Sequence, residues 1–310
     1  PNNTENIDNL FDLIMSSALG HSYMGETVSE SFLVIEDAIQ KMKEEFEERS
    51  KPTNIETNEK KKGRDSKINP KEETEIKIKN DSIIPLCTID ELKERLAKDY
   101  PTFEISKDDN KIKQQLRFLH DWGECVYFSE PESLSNLIIV DPKFLVKGIL
   151  ADLFRSENNV ASKRENGIVK HSDLSFIWSQ FKDLSKSDSL CSNFLSILEK
   201  FGVCFVVNED KEKPFKEQRT IIPSLLPDKS SSSSSLFNQQ LNEKFDRIWP
   251  KMKPFDQPIE IERIVKFDPT VPDELVSRLL VLVHSMIQEQ LVWKNDVVLF
   301  KKGENIQSYI

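Results

Sequence analysis

The sequence predicts an α+β protein in two parts. The mainly helical first half contains two winged-helix-like units, each a helix followed by a β-hairpin, and a truncated strand–helix–hairpin subdomain comes after it. Three observations support this prediction. Apolar residues recur at helical spacing after capping boxes, one helix–glycine–strand pattern occurs twice, and residues after 258 alternate between apolar and charged positions. The length of 310 residues agrees with about two domains.

The first helix is predicted over residues 5–19, with Gly20 at its C-terminal stop. Its apolar residues are spaced like one helical face: Ile7, Leu10, Phe11, Ile14 and Leu19. A second helix is predicted to begin at the Thr27–Glu30 capping box, in which Thr27 accepts from the third amide. Its apolar residues recur in steps of three and four: Phe32, Ile35, Ile39, Met42 and Phe46. This seam suits a coiled coil, but two heptads favour a helix that packs on its own domain.

Residues 51–80 are predicted to form a flexible insertion, because they lack aromatic residues and are rich in Lys and Glu. Within them, Lys60–Arg64 suits a localisation or phosphate-binding patch, although a solvated linker is the simpler interpretation. Order is predicted to resume at Thr88–Glu91, a second capping box that opens a helix carrying Leu92 and Leu96.

The most informative feature is an internal repeat, in which Leu116–Phe128 aligns with Leu195–Val207 without a gap. Three pairs of residues coincide: Trp122 with Phe201, Gly123 with Gly202, and Cys125 with Cys204. Each copy predicts a helix that ends at a glycine in the left-handed conformation and leads at once into a strand. A second strand is predicted after each copy, over 136–140 and 219–222, and a proline ends each of them.

Between the copies, helices are predicted at Lys143–Phe154 and Leu174–Phe181, the latter capped by Ser172 or Asp173. The run Ser230–Ser235 predicts a flexible surface loop over 229–236. Prolines at positions 250, 254 and 258 then mark a domain boundary. The last segment predicts a strand, a helix opening at 270–273 and a hairpin at 291–293 and 297–300. The predicted apolar residues of its helix are Leu275, Leu279, Leu282 and Met286.

Composition argues against several functions. The chain has 53 acidic and 43 basic residues and a net charge of −10, whereas a nucleic-acid module usually presents a basic face. The helices that would read a DNA groove hold acidic and apolar residues and few Arg, although a winged-helix nucleic-acid binder stays open as an alternative. The longest apolar run falls far short of the ~20 residues of a membrane span. Because residue 1 is Pro, the chain is expected to be a piece of a longer protein. Scattered cysteines favour an intracellular protein with reduced thiols, and the expected location is the cytoplasm.

No catalytic, cofactor-binding or metal-ligating residue is predicted. The four cysteines and four histidines are scattered, which favours reduced, buried thiols over a disulfide framework or a zinc site. Gly20–Thr27 has the glycine spacing of a phosphate loop, but Glu26 stands where the lysine should meet the phosphates. Known catalytic motifs such as His-Glu-x-x-His are absent from the sequence. An enzyme of unrecognised class stays open as a second alternative.

Five segments resemble, in this order, the COR domain of Roco proteins: Leu116–Phe128, Asn136–Leu145, Gly167–Leu174, Leu198–Phe201 and Ile222–Pro227. Roco proteins are large GTPases in which a Ras-like domain called Roc is followed by COR. Residues 5–19 resemble the last helix of Roc, Met24–Val28 resembles the start of COR, and Ser277–Leu279 resembles its second half. The resemblance implies three parts: the end of Roc at 1–25, the first half of COR at 26–250 and the start of its second half at 251–310. Segments 51–80 and 229–236 look like insertions private to this protein.

The resemblance implies a non-catalytic regulatory and dimerisation module that couples the nucleotide state of a GTPase to dimerisation. GTP or GDP would be bound by the Roc domain upstream, and the partners would be that domain and a second copy of the parent. In many members a kinase domain follows COR, and peripheral membrane association of the parent is compatible with the family.

The interface residues expected from the resemblance fall into two groups. The apolar face of residues 5–19 should lack its native partner, and its contact residues are Ile7, Leu10, Phe11 and Ile14. Roc packs on the first half of COR in the family, so the two hairpins, around Tyr127 and Arg219, are the expected docking positions. The alternative is that Tyr127 is an ordinary strand residue and Arg219 a solvated charge.

Overall fold

The computed structural model describes residues 5–20, 28–50, 83–102, 108–155, 164–165, 167–229, 236–248, 266, 270, 272, 274–300 and 307–309. The predicted insertion at 51–80, the serine run, the proline-marked boundary and nearly all of the strand predicted at 259–267 lie outside the described residues. The predicted α+β class is confirmed, because helices alternate with small antiparallel sheets.

The first helix, α1 (Glu5–Leu19), has the bounds that the sequence predicts. The first helix–hairpin unit then contains α2 (Glu30–Ser50), β1 (Leu86–Thr88), α3 (Ile89–Asp99), α4 (Asp109–Asp121), β2 (Val126–Tyr127) and β3 (Leu137–Ile139). Its strands form an antiparallel sheet in the order β1-β3-β2. The Thr88 capping box is present, with both reciprocal hydrogen bonds. The apolar seam of α2 packs on α3 and α4, so the interpretation as an amphipathic helix on its own domain is confirmed.

The second helix–hairpin unit opens with one continuous helix of changing pitch. It consists of α5 (Pro142–Phe144), a π-helical stretch over Leu145–Leu150, and α6 (Ala151–Phe154). The remaining elements are β4 (Arg164–Glu165), β5 (Ile168–Lys170), α7 (Leu174–Ile177), α8 (Lys182–Lys186), α9 (Asp188–Lys200), β6 (Phe205–Val206) and β7 (Arg219–Ile221). The strands form a sheet in the order β4-β5-β7-β6. The two units share one strand pairing. In the first unit β1 pairs with β3, the second strand of the hairpin, and in the second unit β5 pairs in the same way with β7.

The chain continues with α10 (Leu236–Ile248), α11 (Leu275–Val283), β8 (Ile287–Val292), β9 (Val297–Phe300) and β10 (Gln307–Tyr309). The predicted terminal hairpin is present as β8 and β9, and β10 adds a third strand. The face predicted for the helix is wrong: Leu282 is exposed, whereas Leu280 and Val281 are buried. This helix is apolar almost all round, so spacing alone does not define which side packs on the core.

Two predicted helix caps also differ from the structure. The described part of α2 starts at Glu30, and the Ser29 hydroxyl accepts from the amide of Phe32 at 3.3 Å, so Ser29 caps the helix. Thr27 itself lies outside the described residues. At α7, the cap position is Asp173, whose side chain makes no capping hydrogen bond. A 3₁₀ turn over His171–Asp173 runs directly into the helix and positions its first amides instead.

The two copies of the repeat adopt the same local structure. Gly123 and Gly202 have φ of +80° and +74°, and each ends its helix in the left-handed conformation, as the sequence predicts. The amides after them, of Glu124 and Val203, each donate back into the helix at 2.9 Å. The thiols of the two copies occupy equivalent positions: Cys125 Sγ lies 4.0 Å from the Leu116 carbonyl, and Cys204 Sγ lies 4.0 Å from the Leu195 carbonyl.

Replacing either glycine with valine is expected to destabilise the chain by roughly 1–3 kcal/mol, because a β-branched residue is strained at positive φ. At Gly123 a Cβ would meet open space, so backbone strain alone is tested there. Urea denaturation of Gly123→Val and Gly202→Val measures the loss, and Gly123→Asn is the control that tolerates this conformation better. Two valine variants with the parent's midpoint would show that the shared unit does not depend on these glycines.

The three sheets each separate two apolar cores, so that the molecule is built as a stack of alternating layers. In the first sheet, Tyr127 and Ile138 face α2–α4, while Val126 and Ile139 face the helices of the second unit. The second sheet repeats this arrangement: Cys204 and Ile222 face α6–α9, while Phe205, Val207 and Ile221 face α11 and the third sheet. The third sheet packs its opposite face on α10 through Leu291, Trp293 and Val298. Each hairpin is thus the contact between its own unit and the next.

Candidate docking site

Helix α1 presents an apolar surface to solvent. The four residues predicted as contacts are all exposed, with 56–67% of each residue accessible: Ile7, Leu10, Phe11 and Ile14. Leu13, Met15 and Leu19 are exposed as well, so the apolar surface extends beyond the predicted face. Contiguous exposed apolar surface of this kind is typical of an interaction site.

Tyr127 lies in the core of the first helix–hairpin unit. Only 2% of the residue is exposed, and its hydroxyl donates to the Ser135 carbonyl at 3.3 Å. Burial raises the pKa of this phenol above its ordinary value. A side chain in this position offers little surface to a partner, which agrees with the alternative interpretation of an ordinary strand residue.

Arg219 is neither fully solvated nor free, because it pairs with a buried carboxylate. Its Nε donates to Asp210 Oδ2 at 2.6 Å, and a terminal nitrogen donates to Oδ1 at 3.2 Å. Lys213 Nζ donates to the same Oδ1 at 2.5 Å. Burial alone would raise the pKa of Asp210, but the hydrogen bonds from Arg219 and Lys213 outweigh it and lower the pKa. The Asp210 side chain is 0% exposed, and both cations compensate its buried charge.

The Asp210 cluster fixes the loop between β6 and β7. The Gln218 amide donates to the carbonyls of Lys211 and Lys213, and His171 Nε2 lies 2.7 Å from Thr220 Oγ1 below the loop. Desolvation by burial lowers the pKa of His171 to about 4, so this ring is neutral at pH 7. Sequence reasoning missed Asp210, because one more acidic residue in Asn208–Asp210 carries no signal that it is buried.

The four cysteines are free and buried, as the sequence predicts. Burial is the main cause that raises the pKa of each thiol, to about 12 for Cys87 and Cys125 and about 11 for Cys191, with Cys204 also raised. Within the described ranges, no group of three or more His, Cys, Asp or Glu could hold a metal ion. None of the helices described combines the length and hydropathy that a membrane span requires.

The thiols are therefore expected to react with Ellman's reagent at pH 8 at least ~100-fold more slowly in the native chain than in 6 M guanidinium, because little thiolate is present. Stopped-flow absorbance of the native and denatured chain measures both rates. A native thiol that reacts at the denatured rate would contradict the buried positions.

Comparison with known proteins agrees with this architecture. A family model described as "C-terminal of Roc, COR-A domain" matches residues 68–226, which is half of the chain and includes both hairpins. The chain belongs to the COR-A family. The resemblance to Roco proteins stated from the sequence is thereby confirmed.

Three relatives with different printed names align with more than half of this chain. The chain is 26% identical over 205 residues to the probable serine/threonine-protein kinase pats1 of Dictyostelium discoideum, which covers 64% of this chain and 6% of that protein. It is 28% identical over 197 residues to the probable serine/threonine-protein kinase roco11 of the same organism. That alignment covers 61% of this chain and 12% of roco11. It is also 22% identical over 228 residues to a Roc-COR-CHAT protease from an unknown prokaryotic organism. That alignment covers 71% of this chain and 18% of the protease. The chain thus spans less than a fifth of each relative.

Proposed function

We propose that this chain is a non-catalytic regulatory module of a Roco protein. It binds the Roc GTPase domain of the same protein and couples the nucleotide state of that domain to homodimerisation. The observation that carries the proposal is the exposed apolar surface of α1, which precedes in the chain a COR-A domain described as C-terminal of Roc.

The relatives support a non-catalytic role for the shared region. Two of them are named as kinases and one as a protease, yet all three align with most of this chain. A region common to proteins with such different activities is better explained as a regulatory module than as the source of either activity. The buried, hydrogen-bonded His171 and the buried thiols also lack the access to substrate that a nucleophile or base requires. GTP or GDP is bound, on this proposal, by Roc rather than by this chain.

The layered fold supports the coupling of docking to dimerisation. Because each sheet is packed on both faces, a shift of one hairpin changes the core of the next layer as well as its own. The proposed Roc-docking surface combines α1 with the hairpin loops around Tyr127 and Arg219. In that surface Arg219 acts as a positioning residue, which holds the β6–β7 loop through Asp210.

The proposal is tested by titrating the Roc domain of the same protein, ending before residue 5, against this chain. Leu10→Ser and Phe11→Ser alter exposed side chains, so they should leave folding intact and weaken docking by about thirtyfold if these residues are anchors. Leu282→Ser is the control, since Leu282 on α11 is also an exposed leucine and lies outside α1. Parent-like affinity for both α1 variants would exclude α1 from the docking surface.

The hairpins need a different set of variants, because Tyr127 and Arg219 both contribute to folding. Arg219→Lys keeps a cation beside Asp210, whereas Arg219→Ala removes it. If Arg219 positions the loop, Arg219→Ala should weaken docking in proportion to its loss of stability, and Arg219→Lys should restore both. Tyr127→Phe keeps the buried ring and removes only the hydroxyl that bonds the Ser135 carbonyl, so weaker docking at unchanged stability would indicate that the hairpin carrying Ser135 takes part in docking.

A further inference from the structure

A groove of about 570 Å³ lies between the two helix–hairpin units. Helix α2 of the first unit forms one wall, the helix of changing pitch in the second unit forms the other, and Phe181 contributes from the turn before α8. This volume falls within the range of binding pockets for peptides and small molecules. Neither the docking surface on α1 nor the Asp210 cluster shares a residue with it.

The groove combines aromatic rings with positive charge. Phe46 and Phe144 are half-buried on opposite walls, and Phe144 packs edge-on against Phe181 with ring centroids 5.1 Å apart. Three lysines also line the groove: Lys43, Lys143 and Lys147. Among the described residues these three lysines have no ion-pair partner, which leaves their charge available to a ligand. The lining thus sets three lysines against two carboxylates, Asp141 and Glu47, in a chain whose net charge is −10.

The backbone at this wall supports a binding role as well. The π-helical stretch Leu145–Leu150 coincides with the groove, and π-helical insertions are frequent at functional sites because they are otherwise unfavourable. Gly148 in this stretch approaches the rings so closely that a Cβ would lie 2.9 Å from Phe181 Cζ and 3.2 Å from Phe144 Cε2. A larger residue at position 148 would displace these two rings, so the packing of this wall requires glycine.

We infer that this groove binds an acidic peptide segment of a partner protein. An apolar side chain of the peptide packs on Phe46 and Phe144, and its carboxylates face the three lysines. Two carboxylates also line the groove. Asp141 accepts from the Lys143 amide as a helix cap, and the exposed Glu47 offsets part of the positive charge of the lysines. Glu44 and Glu48 are exposed on the same helix, so an extended polyanion such as a nucleic acid would be repelled beyond the three lysines.

Ser50 and Ile83, the described residues on either side of segment 51–82, both line the groove. That segment contains more Lys and Arg than Asp and Glu, so its charge does not complement the lysines. Charge complementarity therefore favours a partner in trans over occupation by this segment.

Fluorescence anisotropy with the full chain at low salt tests the inference. The probe is a fluorescein-labelled twelve-residue peptide in which Glu and Asp flank a central Leu-Phe pair. The expected result is saturable binding that Lys143→Glu/Lys147→Glu weakens at least tenfold. The control variant Lys98→Glu/Lys200→Glu reverses two exposed lysines outside the groove and should bind like the parent. Two control peptides replace either the acidic residues with Gln or the Leu-Phe pair with Gly-Ser, and each should also bind at least tenfold more weakly.

Several outcomes would overturn the inference. No binding by the parent chain, or equal loss in the groove and control variants, would show that the groove is not a peptide site. Full binding of the Gly-Ser peptide would show that the rings are not used. Tighter binding of a 20-base-pair DNA duplex than of the peptide would identify a nucleic-acid surface instead. If a chain lacking residues 51–82 bound the peptide more than tenfold tighter than the parent, that segment would be the occupant.

Discussion

Replacing Arg219 with methionine is expected to lower the free energy of unfolding by about 3 kcal/mol. Breaking a buried ion pair on one side costs about 3–5 kcal/mol, because the remaining charge stays in a poorly solvated place. The lower end applies here, since Lys213 still donates to the Asp210 carboxylate. Urea denaturation at pH 7 of the parent and Arg219→Met measures the loss.

Two further variants separate the buried charge from the general effect of losing an arginine. The double variant Asp210→Asn/Arg219→Met leaves no uncompensated carboxylate and should recover a large part of the loss. Lys216→Met removes the exposed partner of Asp188, which lies 3.6 Å away, and should change stability by less than about 1 kcal/mol. Equal stability of Arg219→Met and Lys216→Met would contradict a structural role for the Asp210 cluster.

Stability is expected to fall by about 3 kcal/mol between pH 7 and pH 4 because of His171. Burial lowers the pKa of this ring from 6.5 to about 4 in the folded chain, and one pKa unit corresponds to ~1.4 kcal/mol. Between these two values the unfolded chain binds a proton that the folded chain does not, so acidification favours unfolding. The groups that face the ring are Asp210, whose charge opposes the shift, together with Thr220 and the Phe215 backbone.

Urea denaturation at intervals between pH 7 and pH 4 measures this dependence, and His171→Gln should reduce its slope while keeping a hydrogen bond to Thr220. Asp210 affects stability at lower pH than His171. Its pKa is lowered in the folded chain, so the stability it contributes is present above the ordinary Asp value of about 3.9 and is lost as the pH falls further. An unchanged slope between pH 6.5 and pH 4 in His171→Gln would contradict the assignment to His171.

The sequence predicted those features that neighbouring residues determine. Gly123 and Gly202 end their helices as expected, because the need for a left-handed residue is encoded within a few positions. The Thr88 capping box follows from an equally local pattern. The exposed apolar face of α1 was expected from the resemblance to the last helix of Roc, because spacing alone predicts a face that packs. The packed face of α11 was not predictable, since an almost uniformly apolar helix takes its orientation from the two sheets beside it.

The candidate site depended more on contacts between distant residues. Tyr127 resembled an interface anchor in sequence, but a two-residue strand does not show that both faces of its sheet are covered. Arg219 was expected to be either an anchor or a solvated charge, and neither expectation included its pairing with Asp210 nine residues earlier. The groove between the units likewise joins α2 to residues about 100 positions later, so no local pattern indicated it.

The most direct test of the proposed coupling measures docking in two nucleotide states. The Roc domain of the same protein, loaded with GDP or with a non-hydrolysable GTP analogue, is titrated by calorimetry against this chain, and the oligomeric state of each complex is measured by analytical ultracentrifugation. The proposal predicts that the two docking affinities differ by at least about fivefold and that the dimer fraction changes with them. Equal affinity and equal dimer content in both states would contradict a regulatory role, as would micromolar or tighter binding of GTP by this chain alone.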